Sequence, residues 1–246
     1  MKDPDTTVGE PGGRFPETAG DLLSGLRECS GPAYQAALAT LCGRYWKPVY
    51  TYVRAAWAKS NEDAKDLTQA YFLWLLEGNP LEKYDPQRGT FRGYLKGTLR
   101  SFVGHEERAL AALKRGGAAR LISLDGALPT LEEVMPDPAS ADPEKSFEQV
   151  WMVELVKRAV ERLRERYRSR GKEDAFRVYE DYVLAQASPR PTYQELARRY
   201  GLKEREVETH LETLRLEVRR EIRSELAEIA PDPKSLDEEW NGLFGG

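Results

Sequence analysis

The segment 61–77, NEDAKDLTQAYFLWLLE, decides the fold class. Asn61 is a good helix N-cap, Glu62 and Asp63 follow in the first turn, and Ala64, Leu67, Tyr71, Trp74 and Leu75 recur at the spacing of one helix face. Gly78-Asn79-Pro80 then stops the helix. Upstream, Leu38, Leu41, Tyr45, Val49, Tyr52 and Ala56 mark an amphipathic helix over about 33–58, which Pro48 is expected to kink or divide. Downstream, a third helix is expected over about 90–113. Helical spacing resumes at Trp151 with Leu155, Val156, Ala159, Val160, Leu163 and Tyr167, breaks at Gly171, and continues through Phe176, Tyr179 and Val183. No segment sustains the alternation of a strand, so the sequence predicts an all-α fold.

At 246 residues, 40% hydrophobic and 32% charged, the chain has the composition of one or two globular domains, two being the better reading. No apolar run approaches the roughly 18 residues of a membrane span, and the polar, turn-rich start MKDPDTTVGEPGGRF lacks a secretory pattern, which predicts a cytoplasmic protein without a membrane partner. Cys29, Cys42, His105 and His210 are too few and too scattered for a zinc cluster or a disulfide framework. Ten glycines and prolines crowd into 1–32 and seven into 116–143, and these clusters set the boundaries. The expected units are a flexible tail at 1–30 with a short helix at 22–27, a helical domain at 31–115, a linker at 116–149, a second helical domain at 150–230 and an extension at 231–246. Residues 121–150 carry seven acids against Lys145 alone, a net −6, with four prolines, so the linker is expected to be extended and acidic.

An island of positive charge lies between. From Tyr84 to Arg120 eight Lys and Arg face three acids, a net +5 in a chain of net charge −4. Arg88, Arg92, Lys96 and Arg100 fall every fourth residue, opposite an apolar stripe of Phe91, Leu95, Thr98 or Leu99, and Phe102. Like charges four apart destabilise an isolated helix by some tenths of a kcal/mol each, and a partner that neutralises them is a natural explanation. Gly89, Gly93 and Gly97 run beside them and would let a phosphate backbone or another helix approach closely. A merely solvated face fits the same pattern about equally well.

Near the C-terminus, Thr192-Tyr193-Gln194-Glu195 is a capping box before Leu196 and Ala197, and Tyr200-Gly201 ends the short helix it starts. A longer helix follows, with Val207, Leu211, Leu214, Val218 and Ile222 as its buried seam. A short capped helix, a glycine turn and a longer helix make a helix-turn-helix pattern, which bare helical hairpins share. Lys203, Arg205, Glu208, Thr209, Glu212, Thr213 and Arg215 occupy the outward positions, and the two glutamates there oppose phosphate contact.

Together these segments resemble the small, two-domain extracytoplasmic-function class of bacterial RNA polymerase sigma factors over about 38–243. The most specific match is the acidic helix from Glu62 to Phe72 with Asp66-Leu67-Thr68-Gln69, followed by Tyr84-Asp85-Pro86-Gln87-Arg88-Gly89-Thr90-Phe91-Arg92 at the family's spacing. Lys114-Arg115-Gly116-Gly117, Ile122-Ser123-Leu124-Asp125, and Asp237-Glu238-Glu239-Trp240 through Leu243-Phe244 resemble one branch of the class. The resemblance implies no cofactor and two partners, RNA polymerase core and promoter DNA. Glu62, Asp63, Asp66 and Gln69 would bind the clamp helices, Arg88, Arg92, Lys96 and Arg100 the minus-ten element, and Lys203, Arg205, Thr209 and Arg215 the minus-thirty-five element beside the polymerase flap. The linker would thread the polymerase channels.

Two segments depart from the family pattern. Lys65 and Ala70 stand where acids are usual, and Glu212 and Thr213 where basic or histidine side chains are common. Thr68 is therefore a candidate for phosphorylation, which adds about −1.5 to −2 charges; control by a Ser/Thr kinase or by an anti-sigma protein is left open. The alternative reading is a polymerase-independent helix-turn-helix regulator, which leaves the acidic helix and the cationic stripe without a role. Enzymatic activity is not expected, since no Gly-rich phosphate loop or nucleophile elbow is present and acids at a helix start serve the helix dipole.

Overall fold

The computed structural model describes residues 21–28, 31–78, 80–113, 142–185, 189–230 and 232–244. Among them every regular element is helical, as the sequence predicts. In order they are α1 (Asp21–Arg27), α2 (Gly31–Trp57), α3 (Asn61–Gly78), two 3-10 turns (Pro80–Lys83 and Pro86–Arg88), α4 (Phe91–Leu113) and α5 (Pro143–Ser169). There follow α6 (Glu173–Tyr179), which runs into a π-helical turn (Glu180–Leu184), α7 (Tyr193–Tyr200), α8 (Glu204–Ala227) and α9 (Pro233–Phe244). Among the described residues no helix is long and apolar enough to cross a membrane, and no group of His, Cys, Asp and Glu is placed to hold a metal ion.

Four local expectations need correction. The short helix expected at 22–27 forms as α1, but this end of the tail is not loose, because α1 buries Leu22, Leu23 and Leu26 against α2. Nor does Pro48 divide α2. A proline inside a helix costs about 3 kcal/mol, and here the buried Tyr45, Val49, Tyr52 and Val53 on either side hold the helix in one piece.

At the start of α3 the cap is Ser60 rather than Asn61. The Ser60 Oγ accepts from the Asp63 N–H at 3.1 Å and donates to the Asp63 carboxylate at 2.8 Å, while the Asn61 side chain accepts from the Tyr50 hydroxyl. The fourth correction moves the linker boundary. Asp142 caps α5, Pro143 occupies its first turn and Glu144 adds a favourable acid there, so residues 143–149 of the expected linker are helical. Acid and proline read as extended chain in composition, yet Asp-Pro-Glu is also how a helix starts. The rest of the expected linker, 116–141, lies outside the described residues.

The expected domain edge at 149/150 therefore falls inside α5, and α5 organises the core. It buries Phe147, Trp151, Leu155, Ala159, Leu163 and Tyr167, one residue every fourth position. Its N-terminal half runs antiparallel to α2, with Phe147 edge-on to Tyr52 at 6.2 Å and Lys47 paired to Glu154 at 2.9 Å. Its C-terminal half runs antiparallel to α8, with Arg158 to Glu225 at 3.0 Å and Arg166 to Glu221 at 2.7 Å. The buried side chains before and after the linker thus form one continuous cluster. Trp151→Ala should lower the free energy of unfolding by about 3–5 kcal/mol, and urea unfolding followed by circular dichroism should still show a single transition.

Candidate nucleic-acid interface

The loop before α4 is fixed by short-range bonds. Asp85 Oδ1 accepts from the Gln87 N–H at 3.0 Å, Gly89 takes a φ of +142° that glycine adopts freely, and Thr90 Oγ1 accepts from the Gly93 N–H at 3.1 Å, capping α4. Phe91, Leu95, Leu99, Phe102 and Val103 then face the core. Thr98 sits at the edge of that face, sharing a 2.7 Å hydrogen bond with the Tyr71 hydroxyl of α3. This orientation aligns Arg92, Lys96 and Arg100 along one side, as their spacing predicts, whereas Arg88 ends the 3-10 turn before Gly89 and is not part of the helix.

That side meets carboxylates as well as solvent. Arg88 is 87% exposed and paired loosely with Asp85 at 3.4 Å, and Arg100 is 54% exposed. Arg92 is 8% exposed; its Nε lies 3.3 Å from Glu148, its Nη2 pairs with Glu239 of α9, and its guanidinium stacks 3.9 Å over the Trp151 ring. Lys96 reaches Glu144 at 2.6 Å and Glu148 at 2.9 Å, and Arg100 reaches Glu144 at 2.9 Å. Burial works against the Lys96 ammonium, but its bonds to Glu144 and Glu148 outweigh it and place its pKa above the ordinary value. Burial likewise opposes the charge on Glu144, and Lys96 overcomes it, so this carboxyl titrates below its ordinary value.

Glu239 shows the opposite balance. It is 6% exposed, and desolvation pushes its carboxyl up further than Arg92 pulls it down. Removing one member of so buried a pair costs about 3–5 kcal/mol, against about 0–1 for an exposed one such as Arg88–Asp85. The Arg92 Nη1 is buried with no hydrogen-bond partner among the described residues, a cost on the order of 1–3 kcal/mol.

The glycine column does not serve close helix packing. A Cβ placed on Gly97 would meet no atom within 4 Å, and one on Gly93 only the Thr90 hydroxyl at 3.2 Å.

On α3, Glu62, Asp63 and Asp66 are exposed and Gln69 is half-buried. Glu62 and Asp66 enter no ion pair among the described residues. Thr68 turns the other way. It is fully buried, and its Oγ1 donates to the Ala64 carbonyl at 2.7 Å, so the hydroxyl considered for phosphorylation is withheld from any kinase in this conformation.

In the C-terminal unit both bonds of the capping box form. Thr192 Oγ1 accepts from the Glu195 N–H at 3.2 Å, and the Glu195 carboxylate accepts from the Thr192 N–H at 2.8 Å. Gly201 ends α7 at a φ of +65°, and the five expected seam residues of α8 are all buried. Lys203, Arg205, Glu208, Thr209, Glu212 and Arg215 point outward. Thr209 donates its hydroxyl to the Arg205 carbonyl of its own helix at 2.8 Å, and the Arg215 guanidinium lies 5.9 Å from the centre of the Tyr182 ring.

Sequence reasoning missed the carboxylates that oppose α4. Glu144 and Glu148 stand four apart, the same interval as Arg92, Lys96 and Arg100, and that match was the available signal. No protein-family model matches the chain, and no curated protein or solved structure matches it either.

Because the Glu144 pKa is depressed in the folded chain, its contribution is complete above the ordinary carboxyl value of 4.5 and is lost as pH falls below it. The stability gap between wild type and Glu144→Gln should therefore be widest near neutrality and close in acid, which thermal unfolding across that range would measure.

Proposed function

We propose that the chain is a promoter-specificity subunit of bacterial RNA polymerase, with no catalysis of its own. It binds core polymerase through the acidic face of α3 and through the C-terminal helices, and promoter DNA through α4 and α8. The observation that carries this reading is that adjacent helices present faces of opposite charge which do not neutralise each other. Glu62 and Asp66 on α3 stay unpaired, while the α4 cations look elsewhere for carboxylates. One face suits a basic protein surface and the other a phosphate backbone, so two different partners account for them. A polymerase-independent regulator would use only the second. The capped α7, Gly201 and α8 support the helix-turn-helix reading, since the outer face of α8 takes no part in the core.

Run-off transcription with core polymerase separates the two readings, since only a specificity subunit confers initiation. Asp66→Arg should weaken core binding measured by fluorescence anisotropy, more strongly at low salt because the face is exposed; an unchanged affinity removes α3 as the docking site. On α8, Lys203, Arg205 and Arg215 are expected to make chiefly phosphate contacts, which set register without reading bases. Single-base changes in the upstream element should then alter transcription less than changes in the minus-ten element.

A further inference from the structure

In the structure, three cations of α4 already have anions on other helices. Arg92, Lys96 and Arg100 are met by Glu144, Glu148 and Glu239, and Arg92 is closed off on one side by α5 and on the other by α9. We propose that α9 and the first two turns of α5 form an intramolecular cover over the α4 face, their carboxylates standing where nucleic-acid phosphates would bind, so that the chain is autoinhibited until α9 leaves. This rests on the reading of α4 as the DNA-binding face.

The way α9 is attached supports a detachable role. A helix docked for good buries an apolar stripe, but the one buried residue of α9 is the carboxylate Glu239. Leu236, Trp240 and Leu243 pack only half-buried against the core. Outside, α9 is held by the exposed Arg223–Asp237 pair at 2.5 Å, with the Arg223 guanidinium 5.8 Å from the centre of the Trp240 ring. The deepest hold is thus ionic and aimed at a cation that a polyanion would compete for. The grip is also incomplete, since the Arg92 Nη1 lacks an acceptor and the Glu239 carboxyl is poorly solvated.

The test uses the full chain without polymerase and a labelled single-stranded DNA oligonucleotide, with affinity read by fluorescence anisotropy across a salt series. The double variant Glu148→Gln/Glu239→Gln should bind at least about tenfold tighter than wild type. Its slope of log K against log salt should steepen by about 0.7–1.4, as Arg92 is freed and Lys96 keeps only Glu144, each freed cation adding roughly 0.7 on a single strand. Adding Arg92→Ala should reverse much of both changes. Glu161→Gln/Glu165→Gln on the far part of α5 makes the same change in net charge and should leave affinity within about twofold.

Arg223→Ala loosens α9 from outside, at an exposed position the fold does not depend on, and should also tighten binding although it removes a positive charge. If Arg223→Ala and the double variant, each folded by circular dichroism, bind no tighter than wild type, α9 is a permanent part of the fold and the cover is refuted; if the double variant fails to fold, Arg223→Ala alone decides. Tighter DNA binding without run-off activity in any variant would keep the cover and remove the sigma-factor reading. Run-off activity with unchanged DNA affinities would do the reverse.

Discussion

Everything described depends on one regular feature, the buried residue at every fourth position of α5 from Phe147 to Tyr167. An α-helix has 3.6 residues per turn, so a stripe of period four winds slowly around the axis. Over six positions it turns from α2 and α4 towards α8. One straight helix can thus serve as the wall of the N-terminal core at one end and of the C-terminal core at the other. The two sets of helices meet chiefly through it, since each packs on α5, and are joined besides by the Arg44–Glu228 and Arg92–Glu239 pairs.

Charge is arranged around this stripe on both sides. Towards α4 the helix offers Glu144 and Glu148 to cations; towards α8 it offers Arg158, Arg162 and Arg166 to Glu221 and Glu225. The polarity of α5 reverses along its length, with acids near its N-terminus and arginines near its C-terminus, which is also the order that the helix dipole favours. A chain this rich in charge can therefore bury part of that charge, because each ion stands beside a partner placed by the same four-residue interval. Burial makes such pairs sensitive to loss of one member, whereas replacing both by apolar groups is often tolerated.

Helix existence and the core faces were legible in the sequence wherever apolar spacing was regular. The seams of α2, α3, α4 and α8 follow the periodic residues, and the Thr192 capping box and the Gly201 stop appear at the expected positions. Composition misled where it competed with a local signal. The acids and prolines of 121–150 masked the Asp142-Pro143-Glu144 start, and Asn61 drew attention from Ser60. The disposition of Arg92, Lys96 and Arg100 was legible; the burial of Arg92 and the carboxylates that meet all three were not. Glu148 lies 56 residues from Arg92 and Glu239 lies 147 away, and no periodicity within one segment reports which helices will meet. Spacing orients a side chain on its own helix, but long-range packing decides what covers it.

The antiparallel ladder between α5 and α8 carries an ambiguity that a third helix resolves. Arginines at 158, 162 and 166 face glutamates at 221 and 225, and Glu217 stands one interval earlier. Sliding α8 by four residues would bring Glu221 to Arg158 and Glu217 to Arg166, and it would keep an apolar seam, since Leu214, Val218 and Ile222 would replace Val218, Ile222 and Leu226. Neither set of contacts distinguishes the two registers. Arg44 of α2 does, being 6% exposed and bonded to Glu228 at 2.5 Å. In the slid register it would face Ser224, leaving a guanidinium without its carboxylate. Sliding the other way would set Ile229 against Arg158. One ion pair between the second helix and the end of the eighth thus acts as the vernier mark of the assembly, selecting a single alignment from ladders that would otherwise fit twice.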